Sequence, residues 1–283
     1  MEEAIKKADV LIEALPYIKQ FHKKIAVFKY GGSILGEERV RKSVLEDIAF
    51  LRYTGICPIL VHGGGPNITE RLRDMKVNSE FYEGFRVTDE KTLGIVEEEL
   101  NKLNDVIVQE ISSHGIIARG FKGADGIFTA RKKKSKKDLG FVGEAVGINK
   151  EKILETLPQA IPVICPMGVS ADGQYYNINA DEAAAFLAAS LRAEKIVFLT
   201  NVRGVMHDPA DQDSLLSTLS VEDAQQLVTR KVIDEGMIPK VKAAIHAIKE
   251  GVEKAHIVDA KVPHAILLEI FTDMGIGTEI VHE

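Results

Sequence analysis

Two glycine-rich segments each follow a predicted strand, and both could bind an anion. The first, Lys29–Ser33 (KYGGS), follows an apolar run that ends at Phe28. The second, Gly63–Pro66 (GGGP), follows a run that ends at His62. Parallel strands end at one edge of a sheet, where loops diverge and backbone N–H groups are exposed. Pro66 at a first helical position would direct a helix N-terminus at the same place. Together the loops predict an anion site, whereas either alone could be a tight turn.

Two cations precede or begin predicted helices. Arg86 lies just before a helix start, where its guanidinium could hold a carboxylate through two parallel hydrogen bonds. Lys240 lies at the start of another helix, where the helix macrodipole disfavours a positive charge, so an anion nearby is expected. For both residues the simpler interpretation is a solvated surface side chain.

The segment Asn177–Glu182 (NINADE) groups amides and carboxylates at the start of an alanine-rich helix. A single cap would use one of these side chains. The alternation of an extended segment puts Asn177 and Asn179 on the same side, with Asp181 close by in the first helical turn. This grouping is more polar than a helix cap requires and predicts a second part of the site.

Other phosphate and nucleophile motifs are missing from the sequence. It contains no G-x-x-x-x-G-K-[ST], no strand-to-helix G-x-G-x-x-G and no G-x-S-x-G. P-loop ATPases, NAD enzymes and α/β-hydrolases are therefore disfavoured.

The composition excludes several classes of protein. With 36 Lys+Arg against 42 Asp+Glu and a formal net charge of −6, general affinity for nucleic acid is not expected. The longest uncharged apolar stretch, Ala160–Ala171, contains prolines and is shorter than the roughly 20 residues that cross a bilayer, so we expect no membrane span. The acidic start of the chain does not resemble an export signal. Cys57 and Cys165 lie in apolar runs, which favours free thiols in a reducing cytoplasm over a disulfide or zinc site.

Short β-branched runs alternate with longer amphipathic ones along the whole chain, which predicts an α/β fold. The helical period predicts, among other helices, Ala180–Leu191, Val221–Thr229 and Ala265–Phe271. Residues 126–146 lack that period and are predicted to form a hairpin with a solvated lysine-rich turn, projecting from the sheet edge.

The first predicted helix, about Ile5 to Phe21, carries apolar residues at three- and four-residue spacing. The simpler interpretation is that this apolar face packs on its own domain. The alternative is a protruding helix that pairs with another subunit.

The motifs taken as a series resemble the N-acetylglutamate kinases of the amino acid kinase family, nearly from end to end of the chain. Six segments carry the resemblance: Lys29–Ser33 (KYGGS), His62–Pro66 (HGGGP), Gly84–Asp89 (GFRVTD), Asn177–Asp181 (NINAD), Leu199–Val205 (LTNVRGV) and Gly236–Lys240 (GMIPK). The resemblance implies a three-layer α/β sandwich with a central, mainly parallel sheet, plus an N-terminal helix. It also implies ATP-dependent phosphorylation of the γ-carboxylate of N-acetyl-L-glutamate in arginine biosynthesis.

The chemistry of that reaction fits the residue types. A carboxylate is already ionised at neutral pH, so no general base is needed, and the barrier lies in bringing two anions together and supporting charge on the transferring phosphoryl group. By resemblance, Lys29 and Lys240 would neutralise this charge and Asp181 would orient both lysines. The resemblance assigns substrate binding to Gly64, Gly65, Arg86, Asn177 and Asn179. It assigns phosphate and nucleotide binding to Gly31, Gly32, Thr200, Asn201, Val202, Gly204 and Lys240. Mg²⁺ would accompany ATP, held largely by phosphate and water, so no protein metal ligand is expected.

The same resemblance implies an organisation and a regulation. Residues 1–22 would form an oligomerisation helix, 23–199 an acceptor-binding and dimerising lobe, and 200–283 a lobe for ATP and an arginine effector. The N-terminal helix implies a hexamer, built as a trimer of dimers. His256, Glu269 and Gly275 match an effector pattern, which implies inhibition by L-arginine. The resemblance also makes a nitrogen-signalling PII protein a candidate partner.

Two alternatives and several departures accompany this interpretation. An N-acetyl-α-aminoadipate kinase would differ by one methylene of substrate, which leaves little trace in motifs. A catalytically silent arginine sensor is the alternative from another class, although intact Lys29, Asp181 and Lys240 speak against it. The departures from the family pattern are Asn101–Asp105, Lys122–Gly126 and Glu235.

Overall fold

The fold is taken from a computed structural model. It describes residues 1–31, 36–208, 211, 213–230, 232–233, 236–272 and 275–283, with the side chains of residues 3, 4, 6 and 7 outside that description. Gly32 and Glu235 therefore lie outside the described residues.

An eight-stranded sheet forms the centre of the molecule, with the strand order β12-β14-β13-β11-β1-β2-β8-β5. Neighbouring strands are parallel except β13 and β14, which are antiparallel. Its strands are β1 (Ile25–Tyr30), β2 (Cys57–His62), β5 (Ala118–Phe121), β8 (Ile161–Ile164), β11 (Lys195–Thr200), β12 (Thr218–Ser220), β13 (Lys254–Asp259) and β14 (Thr278–Val281).

Helices cover both faces of this sheet and complete three layers. The described helices are Glu2–Glu13, Leu15–Phe21, Glu38–Tyr53, Gly65–Asp74, Glu90–Ser113, Lys150–Thr156, Ala180–Leu191, Val221–Thr229, Ile238–Lys249 and Ala265–Phe271. Val27 packs on the face covered by Ala184 and Val241, whereas its neighbour Phe28 packs on the opposite face with Leu45 and Ile107. Because side chains alternate along a strand, Lys29 lies on the same face as Val27, toward the helix that begins at Ala180.

A second, smaller sheet closes into a barrel with the order β10-β7-β6-β9. Its strands are β6 (Phe128–Lys132), β7 (Val142–Ile148), β9 (Met167–Val169) and β10 (Tyr175–Ile178). The predicted hairpin over 126–146 is present as β6 and β7, but the prediction that it projects from the edge of the main sheet was wrong. Both of its strands have further partners, since β7 pairs with β10 and β6 with β9.

A two-stranded hairpin, β3 (Phe81–Tyr82) and β4 (Phe85–Arg86), stands apart from both sheets. Its turn residues Glu83 and Gly84 have φ of 48° and 83°, as in a type I′ turn, which matches the twist of paired strands.

The N-terminal segment forms two helices rather than the single one predicted, because Pro16 lacks the N–H that would continue the first helix. Ile5, Ile12 and Leu15 of the predicted apolar face are 53–67% exposed. The simpler interpretation, that this face packs on its own domain, was therefore wrong, whereas Phe21 at the end of the second helix is buried in the core.

The main sheet runs continuously across residue 200, since β11, which ends at Thr200, pairs with β1 on one side and with β13 on the other. Among the described residues, none of the helices combines the length and apolar character that crossing a membrane requires.

Candidate active site

Most of the predicted site residues line two neighbouring cavities at the carboxyl ends of the central strands. The first has a volume of about 220 Å³ and contains Lys29, Gly64, Gly65, Arg86, Asn177, Asn179 and Asp181; we call it the acceptor cleft, after the role predicted for these residues. The second has a volume of about 570 Å³ and contains Thr200, Asn201, Val202, Gly204 and Lys240; we call it the nucleotide cavity for the same reason. Gly31 directly follows β1 and is buried, and it is not among the residues that line either cavity.

Asp181 lies between two lysines at the junction of these cavities. Its carboxylate is 2.8 Å from Lys29 Nζ and 3.8 Å from Lys240 Nζ. Lys29 comes from the end of β1, Asp181 from the first turn of helix Ala180–Leu191, and Lys240 from the first turn of helix Ile238–Lys249. Lys29 and Asp181 are 152 positions apart along the chain, and Asp181 and Lys240 are 59 positions apart. Only the fold brings them together.

The charges of this cluster are set by burial and by mutual attraction. Burial opposes ionisation of Asp181, but Lys29 and Lys240 outweigh it and hold the pKa of the carboxyl below its ordinary 3.8. Burial lowers the pKa of Lys240 below its ordinary 10.5, and the attraction of Asp181 offsets only part of that effect. One carboxylate thus faces two ammonium groups, which leaves an excess of positive charge for an anionic ligand.

Arg86 is buried rather than solvated, so the simpler interpretation of this residue was wrong. Its guanidinium donates to the carbonyl oxygen of Gly65 at 3.1 Å and to Thr69 Oγ1 at 2.7 Å, and also to Ser79 Oγ. It lies 4.6 Å from the centroid of the Phe81 ring. Within the described part of the chain Arg86 forms no ion pair with a carboxylate, so its charge is available to an anion in the acceptor cleft.

The Gly63–Pro66 loop leads directly into helix Gly65–Asp74. The N–H groups of Gly64 and Gly65 precede the first helical hydrogen bond and so have no acceptor within the helix. A Cβ at Gly64 would come within 2.9 Å of Leu100, whereas at Gly65 it would meet open space. A side chain at position 64 would therefore require Leu100 to shift. Both N–H groups can donate to an anion.

The two asparagines have different roles. The Asn177 side-chain amide donates to Thr88 Oγ1 at 3.2 Å. The Asn179 side-chain oxygen accepts from the backbone N–H groups of Asp181 and Glu182 at 2.9 and 3.2 Å. Asn179 is therefore the helix cap that fixes Asp181, in addition to lining the cleft.

The predicted effector residues line a separate cavity of about 240 Å³, which shares no lining residue with the acceptor cleft. His256 Nδ1 is 2.5 Å from Glu269 Oε1, and both side chains are almost completely buried. The Glu269 carboxylate also accepts from the N–H of Ile276 at 2.9 Å, and Gly275 lies against it. Burial disfavours ionisation of both groups, yet the contact with His256 keeps the pKa of Glu269 below its ordinary 4.5.

Helix Leu15–Phe21 contributes to the same cavity through Tyr17 and Phe21. Lys195 Nζ lies 4.9 Å from the centroid of the Phe21 ring. Four carboxylates and two lysines face the cavity: Glu194, Glu253, Glu269, Glu279, Lys195 and Lys254. Because this cavity contains the predicted effector residues His256, Glu269 and Gly275, we call it the effector cavity.

His62 at the end of β2 is buried and does not line the cleft. Burial lowers the pKa of its imidazole to about 4, so it is neutral at pH 7. Its Nε2 lies 3.1 Å from the Asn104 amide and 3.3 Å from Cys165 Sγ. The ring is a packing element under the glycine loop.

Two departures from the family pattern contact each other. The Lys122 ammonium is 2.8 Å from the Asp105 carboxylate, and both side chains are substantially exposed. An exposed pair of this kind contributes about 0–1 kcal/mol to stability. Neither segment, Asn101–Asp105 or Lys122–Gly126, lines the acceptor cleft.

Some lining residues were not predicted from the sequence. Phe81 and Phe85 of the β3–β4 hairpin line the acceptor cleft, and two-residue strands give no periodic signal. Asp259 lines the nucleotide cavity at the carboxyl end of β13. Its position directly after an apolar run at the same sheet edge could have identified it.

The described residues contain no group of three His, Cys, Asp or Glu side chains able to hold a metal ion.

Comparison with known proteins agrees with this geometry. Residues 24–259 match the model of the amino acid kinase family. An acetylglutamate kinase of Desulforamulus reducens is 45% identical over 288 residues, which is 100% of both chains.

Two solved structures of N-acetylglutamate synthase from Neisseria gonorrhoeae are also similar. The complex with coenzyme A and N-acetyl-glutamate has a TM-score of 0.88 at 26% identity and covers 98% of this chain. The complex with coenzyme A and L-arginine has a TM-score of 0.85 at 25% identity and again covers 98% of this chain. The chain spans only 63% and 65% of those synthase chains. From the matched family model and the full-length relative, the chain belongs to the amino acid kinase family and, within it, to the acetylglutamate kinases.

Proposed function

We propose that the protein transfers the γ-phosphoryl group of ATP to the γ-carboxylate of N-acetyl-L-glutamate, giving N-acetyl-L-glutamyl 5-phosphate and ADP in arginine biosynthesis. The observation that carries this proposal is the Lys29, Asp181 and Lys240 cluster at the junction of two cavities. One cavity holds the buried guanidinium of Arg86, and the other is bordered by the 200–204 loop.

In this mechanism each group has a separate task. Arg86 and Asn177 bind the acceptor, and the γ-carboxylate needs no base because it is already ionised. Lys29 and Lys240 support charge on the transferring phosphoryl group from both sides, with the N–H groups of Gly64 and Gly65 as further donors. Asp181 keeps the lysines in place. When bound, Mg²⁺ would neutralise part of the phosphate charge.

The acceptor is tested by measuring ADP formation with N-acetyl-L-glutamate and with N-acetyl-L-α-aminoadipate. We expect the specificity constant to be roughly 10- to 200-fold higher for acetylglutamate, the range that one methylene allows. A preference for the longer acid would mean that the acceptor is wrong. Arginine binding without ADP formation from either acid would replace the kinase by a silent sensor.

We also propose that L-arginine inhibits the protein and that the N-terminal helices join dimers into a hexamer, a trimer of dimers. The carboxylates of the effector cavity suit a guanidinium and an ammonium group, and its lysines suit a carboxylate. A similar Neisseria synthase has been solved with L-arginine. The exposed Ile5, Ile12 and Leu15 offer an apolar face for another subunit. We also propose a cytoplasmic location, which fits the two free thiols. The division of the chain into residues 1–22, 23–199 and 200–283 belongs to the same proposal. PII has no support beyond the sequence resemblance.

Removing residues up to Tyr17 should give dimers and raise the arginine concentration for half-inhibition by roughly tenfold, because the deletion removes both the apolar face and one wall of the effector cavity. Light scattering and inhibition curves measure the two effects. As a control, Glu269→Gln should weaken inhibition while the hexamer persists. A deletion variant that remains a hexamer would overturn the oligomer proposal.

A further inference from the structure

The lysine-rich turn at residues 131–137 is not uniformly solvated. Lys133 differs from its neighbours, since its side chain is only 17% exposed, whereas Lys132, Lys134 and Lys136 are exposed. Its backbone N–H donates to the carbonyl oxygen of Val142 at 2.8 Å, which fixes the start of the side chain on the barrel.

The Lys133 ammonium contacts two elements of the acceptor cleft at once. It donates to both carboxylate oxygens of Glu182 at 2.9 Å, and it lies 4.4 Å from the centroid of the Phe85 ring. We call Lys133, Glu182 and Phe85 the Lys133 bridge. A cation held by a carboxylate and by an aromatic face is constrained in direction as well as in distance.

Each partner in the Lys133 bridge is the chain neighbour of a site residue. Glu182 follows Asp181, and its backbone N–H is held by the Asn179 cap. Phe85 precedes Arg86 in β4. We propose that Lys133 is a positioning residue that fixes the β3–β4 hairpin, and with it Arg86, relative to the helix start that carries Asp181. The inference rests on the proposed assignment of the Arg86 cleft to the acceptor.

The position of the β3–β4 hairpin explains why the Lys133 bridge is useful. The β3–β4 hairpin belongs to neither sheet, and its Gly84 lies near Pro239, at 3.6 Å from where a Cβ would stand. Backbone hydrogen bonds of Thr88 with Leu139 and Phe141 hold the chain just beyond the strand that carries Arg86. The contact of Lys133 with Phe85 acts on the strand itself. A cleft that binds an acceptor through Arg86 and positions it for a phosphoryl group near Asp181 needs these two elements at a fixed separation.

The test compares Lys133→Met with the matched variant Lys134→Met, which removes the same charge from an exposed position in the same turn. For Lys133→Met we expect the KM for acetylglutamate to rise roughly 3- to 10-fold, with kcat and the KM for ATP within about twofold of wild type. Lys134→Met should leave all three constants unchanged. Lys133→Arg should restore most of the lost affinity, because it keeps the charge and can bind Glu182 through two donors.

A second part of the test uses Glu182→Gln, which removes the charge of the partner carboxylate. It should raise the acceptor KM in the same direction, and the double variant should be no worse than Lys133→Met alone, since both remove one interaction. Three results would overturn the proposal. They are equal effects of Lys133→Met and Lys134→Met, additive effects of Lys133→Met and Glu182→Gln in the double variant, and an acceptor KM that Lys133→Met leaves unchanged. Arg86→Lys distinguishes failure of the proposed function from failure of the Lys133 bridge. If Arg86→Lys leaves the acceptor KM unchanged, the assignment of the cleft to the acceptor is wrong. If it raises the acceptor KM while Lys133→Met does not, only the Lys133 bridge is wrong.

Discussion

Replacing Lys240 by methionine should lower kcat by roughly 100- to 1,000-fold, while the affinity for ATP changes far less. Lys240 borders the nucleotide cavity and faces Asp181 across 3.8 Å. Its charge is expected to matter most when negative charge develops on the transferring phosphoryl group, which is an interaction of the transition state rather than of bound ATP. Steady-state kinetics at saturating acceptor, together with a direct nucleotide-binding titration, would measure both quantities.

Two controls separate this effect from misfolding. Lys242→Met removes a charge from an exposed position on the same helix, and kcat should stay within about twofold of wild type. Lys240→Met itself should not lower the unfolding temperature, because burial already destabilises the charged form of Lys240. A comparable loss of kcat in both variants would show that the helix, and not the position of the charge, is responsible.

Replacing Asp181 by asparagine should have the second large effect, a fall in kcat of roughly 100-fold with a shifted pH dependence. Asp181 is the anion that Lys29 and Lys240 share. Without it the two ammonium groups repel each other, and the pKa of Lys240 loses the contribution that raises it. Since the charged form of Lys240 is the active one, activity falls as pH rises through that pKa. The alkaline fall in kcat should therefore begin at a lower pH in the variant than in wild type.

The measurement is the pH profile of kcat for wild type and Asp181→Asn, with Glu222→Gln as a control that removes an exposed acid from the first turn of another helix. The control should keep the wild-type profile. If the alkaline limb of Asp181→Asn were unchanged or moved to higher pH, Asp181 would not be the group that sustains the charge of Lys240.

Much of the fold was predictable because its signals are local. The helices Ala180–Leu191, Val221–Thr229 and Ala265–Phe271 begin and end where the sequence predicted. Each of the first two begins after a side chain that caps it, Asn179 and Ser220. Such caps and apolar periods are properties of a few neighbouring residues, so a single sequence contains them.

The features that the sequence did not predict depend on distant partners. The closed barrel needs β6 to pair with β9 and β7 to pair with β10, and these strands are short and partly polar. The burial of Arg86 depends on Gly65 and Thr69, which precede it by 21 and 17 residues. Glu182 is 49 residues from Lys133, so the lysine-rich turn was interpreted as solvated throughout. Composition and period carry no information on such pairs.

The residue types of the candidate site were predictable, but only part of their arrangement was. The motif series identified Lys29, Asp181 and Lys240, and the structure brings them together. The resemblance implied that Asp181 orients both lysines, but the position of the cluster between two cavities did not follow from the sequence, because it depends on how β1 and two separate helices pack.

We infer that the cluster of Lys29, Asp181 and Lys240 acts on the phosphoryl group during its transfer. Single-turnover transfer from ATP to N-acetyl-L-glutamate, with the enzyme in excess and both sites saturated, tests it most directly, because product release does not contribute. We expect wild type to form ADP and the acyl phosphate together, and Lys240→Met to slow this step by at least about 100-fold. A transfer step of unchanged rate in Lys240→Met, or no transfer in wild type, would contradict it.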